Sequence, residues 1–193
     1  MTDATSTGLA DGLDGPGPVR VAIIADTHGW VDRRVLAVVA DCDLVVHAGD
    51  IGSAAVLARL RPRRGLIYAV RGNNDRPAEW PAADQALLAT IPPHTQIDLP
   101  GGVLVVIHGH KTAARIRHER LRRRFPRARV LVCGHSHRLV LDRDALPWVL
   151  NPGAAGRTRT GGGPTCLVLS ADERDWRVEV HRFSPAPGPR MPA

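Results

Sequence analysis

The sequence predicts an α/β fold built from two facing sheets with helices outside them. Three observations lead there. Short, continuously apolar, valine-rich runs recur along the chain and end in glycine or a polar residue, as strands buried on both faces do. In the first half these runs alternate with helix-period segments, a β-α-β-α-β rhythm that implies parallel strands with right-handed crossovers. In the second half the helices thin out and short strands follow one another. Two facing sheets would bury both sets of runs.

Taken in order, residues 1–18 lack periodicity and close on Gly15-Pro16-Gly17-Pro18, the composition of a flexible lead-in. Val19 to Ala25 is the first strand. Val31, Val35, Val38, Val39 and Cys42 follow with the spacing of an amphipathic helix. Leu44–His47 is the second strand, and Ser53 is placed to cap a short helix, Ala54–Leu60, that stops before Pro62. Leu66–Val70 is the third strand. Prolines at 77, 81, 92 and 93 leave a loop there, with one helical turn around Gln85–Ala89. Thr95–Leu99 and Val103–Ile107 flank Pro100-Gly101-Gly102 as a hairpin. Thr112–Phe125 reads as a helix with a dense arginine face. Strands follow at Val130–Cys133, Leu139–Leu141, Trp148–Leu150, Thr165–Ser170 and Trp176–Phe183, the last alternating like a strand with one wet face. Residues 184–193 carry four prolines and read as a disordered tail.

At 193 residues the chain suits one domain with a real core. No apolar run approaches the roughly 18 residues of a membrane helix, and residues 1–18 have no secretory apolar stretch. Three scattered cysteines argue for buried thiols in a reducing cytoplasm rather than a disulfide framework. The net charge of +7 comes almost wholly from arginine and is compatible with an anionic substrate.

The apolar runs end in chemistry. The first leads into Asp26-Thr27-His28, the second into Gly49-Asp50, the third into Gly72-Asn73-Asn74-Asp75. Val103–Ile107 leads into His108-Gly109-His110, and Val130–Cys133 into Gly134-His135-Ser136-His137. In open α/β sheets, reactive groups gather beyond the carboxyl ends of strands. Each cluster has an ordinary reading alone: Asp26 as a helix cap, Asp50 and Gly72–Asp75 as turn residues. The two His-x-His pairs resist it better, and five of the nine histidines fall in these clusters. His47, His94, His118 and His181 read as surface or satisfied histidines. Jointly, aspartates, imidazoles and an Asn carbonyl make the mixed O/N set that Mn²⁺, Fe and Zn²⁺ accept. A carboxylate can also bridge two cations about 3.5–4 Å apart, which suits displacement at phosphorus. Asp50 is the hub of that arrangement. Neither a phosphate-cradling G-x-x-x-x-G-K-[ST] loop nor a G-x-S-x-G elbow is present, so metal-assisted hydrolysis is what remains.

The order Asp26-x-His28, Gly49-Asp50, Gly72-Asn73-x-Asp75, His108-Gly109-His110, Gly134-His135-x-His137 resembles the calcineurin-like metallophosphoesterase superfamily, closest to its small single-domain bacterial and archaeal phosphodiesterases. Asn151-Pro152-Gly153 followed by Arg157 and Arg159 resembles that branch too. The resemblance spans about Val19 to Ser170, and one such domain is expected over 19–183. It implies a four-layer α/β/β/α sandwich with two divalent cations per chain, Mn²⁺ foremost and Fe, Zn²⁺, Ni²⁺ or Co²⁺ as alternates. By position, one cation would take Asp26, His28, Asp50 and His137, and the other Asp50, Asn73, His108 and His135. A hydroxide bridging them would attack phosphorus. Of the residues in or beside the chemistry, Asp50 would bridge and Asp75 would orient a ligand or its turn. His110 would stand behind the ligands or approach the phosphoryl oxygens. The Asn151-Pro152-Gly153 turn would shape the wall. One position departs from the wider superfamily: Asn74 stands where many members carry a histidine, and an amide is no general acid near neutral pH.

The expected activity is therefore metal-dependent hydrolysis of a small phosphodiester, in the cytoplasm, without a membrane partner and with a homo-oligomer admitted. Two other classes compete. One is a non-catalytic metal-binding scaffold of the same fold, as a eukaryotic retromer subunit is; the intact set of seven ligating positions weighs against it. The other is a nuclease or nucleic-acid-binding protein using residues 111–129, which hold nine Lys/Arg and a single acid, Glu119. Base-stacking aromatics are nearly absent there, so nucleic acid is the minority reading.

Overall fold

The computed structural model describes residues 17–185. The expected lead-in and tail lie outside them but for residues 17–18 and 184–185. Ten strands form two five-stranded sheets. The first runs β10-β9-β1-β2-β3, with β1 (Val19–Ile24), β2 (Leu44–His47) and β3 (Leu66–Ala69) parallel. β9 (Thr165–Ala171) and β10 (Trp176–Arg182) are added antiparallel at its edge. The second runs β4-β5-β6-β8-β7. Here β4 (His94–Leu99) and β5 (Gly102–Ile107) form the expected hairpin, with His94 opposite Ile107 and Leu99 opposite Gly102. β6 (Ala128–Val132) and β8 (Trp148–Pro152) continue parallel to β5, and β7 (Leu139–Asp142) closes the edge antiparallel.

The central strands, β1, β2, β5 and β6 among them, are nearly all apolar because both faces are covered, whereas the edge strands β4 and β10 carry polar residues. Along β1, Val21 and Ile23 point between the sheets, where they meet Leu104, Val106, Val130 and Val132 from the second sheet. Ala22 and Ile24 point the other way, onto Val35 and Val39 of helix α1 (Arg33–Ala40). On the far side, Val105, Leu131 and Val149 pack against Leu121 and Phe125, on and just after helix α4 (Arg117–Arg124). These are four layers, helix, sheet, sheet, helix. A buried Leu or Ile truncated to Ala in such a core costs about 2–5 kcal/mol; these side chains set the spacing between the sheets and hence between their ends. A satellite cluster of Ile51, Val56, Trp80, Leu88 and Ile91 ties helices α2 (Ala54–Arg59) and α3 (Gln85–Thr90) to the rim.

Some boundaries differ from the sequence pattern. Helix α1 starts only after Asp32, whose carboxylate accepts from Arg34 N at 2.8 Å, so Val31 lies outside it. Ser53 occupies the N-cap position of α2 but makes no side-chain cap bond. Asp84 supplies it instead, accepting from Ala54 N at 2.9 Å. The expected helix over Thr112–Phe125 is a 3₁₀ turn at Ala114–Ile116 followed by α4. At that division Arg117 buries its guanidinium on the carbonyl of Thr112 (3.2 Å). The wet-faced alternation of β10 holds at Trp176, which is buried, and Val178, which is half-buried, but fails at Val180, which is exposed.

Candidate metal centre

The carboxyl ends of β1, β2 and β3 in one sheet and of β5 and β6 in the other meet at one edge of the sandwich, and the turns leaving them interlock. Asp26 N donates to Gly49 O (3.0 Å), His28 N to Asp50 O (2.9 Å), and Gly134 N to His108 O (3.2 Å). The turns are sharp. Of the six non-glycine residues with positive φ among the described residues, five are Asp26, His28, Asp50, His135 and His137, with φ between 46° and 70°. Left-handed backbone at such residues is costly and concentrates at functional sites. Glycines make the close approach workable. A Cβ at Gly72 would overlap the Asp50 carboxylate, and one at Gly49 would sit 2.7 Å from His108 Nδ1.

These turns bring the sequence-predicted residues together in two groups that share Asp50. In Asp26, His28, Asp50 and His137, one ligand atom from each lies within 4.8 Å of every other; so do those of Asp50, His108 and His135. His28 Nε2 stands 3.1 Å from His137 Nε2 and 3.8 Å from Asp50 Oδ2. His137 Nε2 is 3.5 Å from Asp26 Oδ1. On the other side His108 Nε2 is 3.4 Å from Asp50 Oδ1. Asn73 joins this second group, its Oδ1 lying 3.1 Å from His108 Nε2 and 2.9 Å from His135 Nδ1.

The chemistry of the groups suits divalent metal binding. Each of two imidazoles is oriented by a carbonyl on its far nitrogen: His108 Nδ1 donates to Ala48 O (2.7 Å) and His137 Nδ1 to Thr158 O (2.9 Å). Both therefore present Nε2 to the cluster, the arrangement that fixes ligating histidines. Asp26 is fully buried, its Oδ2 has no hydrogen-bond partner, and burial pushes its pKa up to about 7. A buried carboxylate oxygen left bare is costly unless a cation meets it. Burial works the same way on Asp50, but hydrogen bonds from His108 and Asn74 outweigh it and hold that carboxyl well below its usual range. Burial disfavours a charged His108, yet the bond to Asp50 and the nearby carboxylates win and raise its pKa. A divalent cation could replace that proton among the same oxygens. The donor set, carboxylate, imidazole and amide oxygen, fits Mn²⁺, Fe or Zn²⁺.

Asp75 is buried away from these ligand atoms. Its carboxylate accepts from Ile51 N (2.9 Å), Gly52 N (3.0 Å), Gly72 N (2.8 Å) and Trp80 Nε1 (2.9 Å), which locks the turns after β2 and β3 to each other. His110 lies at the rim, its ring centroid 5.4 Å from that of His108 and 6.3 Å from that of His135. Its Nδ1 is buried without a partner. Asn74 grips the shared carboxylate from both its backbone nitrogen (2.9 Å to Oδ1) and its amide (2.8 Å to Oδ2). Asn151, at the end of β8 and not in the turn the sequence suggested, pins the turn after β6 by donating to Gly134 O (2.7 Å) and Ser136 Oγ (3.1 Å).

Two residues carry more of the site than their sequence context suggested. His47 is fully buried, the satisfied and not the surface alternative of the sequence reading. Burial lowers its pKa to about 4, and the neutral ring bonds Thr27 Oγ1 (2.9 Å) through Nε2 while Nδ1 accepts from Gly49 N (3.2 Å). A histidine inside an apolar strand was the available signal. Arg159 places Nη2 2.9 Å from His137 Nε2 at the mouth, beside Arg157, which stacks 3.9 Å over Trp30. Only their position after the Asn151-Pro152-Gly153 turn marked these arginines.

Comparisons with known proteins converge on this architecture. The chain is 24% identical over 170 residues to the phosphodiesterase MJ0936 of Methanocaldococcus jannaschii, covering 84% of this chain and 99% of that protein. Among solved structures, a Vps29 single mutant from Entamoeba histolytica superposes with a TM-score of 0.67 at 17% identity, covering 86% of this chain and all of that one. A predicted phosphoesterase from Streptococcus pneumoniae gives 0.62 at 21% identity, covering 90% and 96%. At these identities the structural likenesses show the fold. The family model for the calcineurin-like phosphoesterase superfamily domain matches residues 19–174, which include every residue of both groups. With its paired sheets, interlocked strand-end turns and O/N donor cluster, this chain belongs to the calcineurin-like phosphoesterase superfamily.

Proposed function

We propose that the protein hydrolyses phosphodiesters, with Asp26, His28, Asp50 and His137 holding one divalent cation and Asp50, Asn73, His108 and His135 a second, Mn²⁺ foremost. The observation that carries this reading is the sharing of Asp50 by two donor groups, its Oδ2 toward His28 and its Oδ1 toward His108. When bound, the cations would polarise phosphoryl oxygens as Lewis acids and activate water. Family membership and the likeness to an archaeal phosphodiesterase support the reaction class.

The chain's own residues supply positioning. Asn74 fixes the plane of the Asp50 carboxylate, and Ala48 and Thr158 carbonyls fix two imidazoles. Arg159 puts positive charge at the mouth, where anionic phosphoryl oxygens arrive. His110 offers an unpartnered ring nitrogen on the other side. Asn74, bonded to Asp50 and unable to give up a proton, is not the donor to the leaving oxygen. Good leaving groups should depart readily and poor ones slowly.

The test is chelation followed by reconstitution with Mn²⁺, Zn²⁺, Co²⁺ or Ni²⁺ and assay on bis(4-nitrophenyl) phosphate and on diesters of rising leaving-group pKa. Stripped protein should be inert, Mn²⁺ should restore turnover, and the rate should fall steeply along the series. General-acid help is typically worth about 10²–10⁴-fold, and that is the deficit alkyl esters should show. Fully metallated protein inactive on every ester would leave the scaffold reading standing.

A further inference from the structure

A cavity of about 510 Å³ opens directly beside the second donor group, sharing His108 with it and taking His110 from its rim. Its other walls come from β4, β5 and α4: Ile107 and Leu121 are apolar, His94 tilts against Phe125 with centroids 5.6 Å apart, and Lys111, Arg120 and Arg124 face in from the basic segment. The structure sorts that segment's charges. Arg117 is buried on a carbonyl, Arg122 is paired with Asp142, Arg123 with Glu119, and Arg129 donates to the carbonyls of Gly101 and Arg174. Among the described residues, no carboxylate pairs with Lys111, Arg120 or Arg124. Three cations without a carboxylate partner therefore gather at the cavity, beside the paired Arg123, whereas Arg115 and Arg127, also without one, lie outside its lining. Charge left unpaired at a concave site raises the local concentration of anions.

We propose that this cavity binds one ester arm of the substrate, and that this arm carries a further phosphate group. Lys111, Arg120 and Arg124 hold that phosphate, while Ile107, Leu121 and the His94 ring cover the arm's apolar body. The volume falls within the range of small-molecule sites and suits an arm the size of a nucleoside phosphate. A track for single-stranded nucleic acid needs successive stacking platforms, and beyond the histidines of the adjoining cluster this wall offers only the His94 ring, backed by Phe125. The proposal rests on the phosphodiesterase reading, because it takes the scissile phosphate to lie at the adjoining cluster.

Two esters that differ only in the extra phosphate test it: thymidine 5′-(4-nitrophenyl phosphate) and its 3′-phosphorylated form, assayed with Mn²⁺-loaded full-length protein. The phosphorylated ester should have a kcat/KM about tenfold higher, the effect of one or two charge-assisted contacts in a partly screened site. Arg120→Glu with Arg124→Glu should bring the ratio to one or below. Independently of turnover, thymidine 3′,5′-bisphosphate should bind the wild type by calorimetry and lose at least about tenfold in affinity in the double variant. Equal rates on both esters, with no charge-dependent binding, overturn the pocket and leave the phosphodiesterase reading intact. Arginine-dependent binding without hydrolysis of either ester keeps the pocket and removes the catalytic reading. Affinity that climbs steadily with oligothymidylate length overturns the small-molecule arm in favour of a nucleic-acid track. Should the double variant fail to fold, the wild-type ratio of the two esters decides alone.

Discussion

The two donor groups share Asp50 but lean on different parts of the chain. In the second group, His108 is 1% exposed, its Nδ1 is held by a carbonyl just past β2, and Asn73 Oδ1 already lies between two imidazoles. Every donor lies within four residues of a strand end. In the first group, His28 and His137 stack face to face, and the His28 side chain is 21% exposed. His137 takes its orientation from Thr158, on a segment that runs into Gly161, Gly162 and Gly163, all at positive φ. Sheet-borne donors lose little freedom on binding a cation, whereas loop-borne donors must be ordered against their own entropy. On the proposed two-cation reading, the second site should therefore be the firmer and the first should exchange more readily, through His28 and the Thr158 loop although Asp26 and His137 are themselves buried.

The hardest test of the shared hub is Asp50→Asn. If one carboxylate serves both groups, this change removes a ligand from each and should lower turnover at least about 10³-fold, the scale of losing a preorganised electrostatic group. Elemental analysis should find both cations depleted even after Mn²⁺ loading. Two tightly held cations in an active Asp50→Asn protein would dissolve the comparison, because the groups would then be independent.

A smaller effect separates the groups. His137→Ala should leave about one cation per chain and weaken the other by about 10–100-fold or more, whereas His108→Ala should strip the second group and disturb the packing under Gly49. Chelator should draw metal from the wild type in two phases, the faster one missing in His137→Ala. A single phase, or a His108→Ala protein that keeps more metal than His137→Ala, would make the second site the looser of the two.

How much of the molecule is legible in the sequence follows the same division. Donors at strand ends announce themselves, because an apolar run stopping at Asp, Asn or His is a pattern in the chain itself; Asp26, Asp50, Asn73, His108 and His135 sit in such places. The layers are legible for the same reason, since strands with both faces buried cannot alternate. Loop-borne contributions are not. Nothing periodic points from Arg159 to His137, and their contact depends on a turn that glycines permit without dictating. His47 reads as an ordinary histidine from its neighbours in sequence, because burial belongs to the sheet and not to the four residues of β2. Ser53 has the residue type of a cap, but Asp84, thirty-one positions on, has the better geometry.

The smallest expected effect serves as the control, because among the described residues the Asp142 carboxylate of β7 bonds only Arg122 and His118 of α4 and none of the donor residues. Asp142 is held between Arg122 and His118, with His118 Nδ1 at 2.7 Å and the Arg122 guanidinium also donating to Pro147 O at 2.9 Å. The bond from Arg122 holds this carboxyl below its usual range; burial pushes the other way and His118 adds to the lowering. A depressed folded-state pKa stabilises the fold above the unfolded value of about 3.9, and that stability is lost as pH falls through the folded value. Asp142→Asn should therefore cost about 1 kcal/mol or less in urea unfolding at neutral pH, a modest sum because the side chain is 22% exposed and screened. The gap between variant and wild type should stay level down to about pH 4 and close below it, where both side chains are neutral. Metal content should match the wild type throughout. A gap that persisted at low pH would mean Asp142 acts through packing rather than charge. Loss of a cation in this variant would show that the first group draws its support from the α4 side of the sandwich, and not from the loop that carries Thr158.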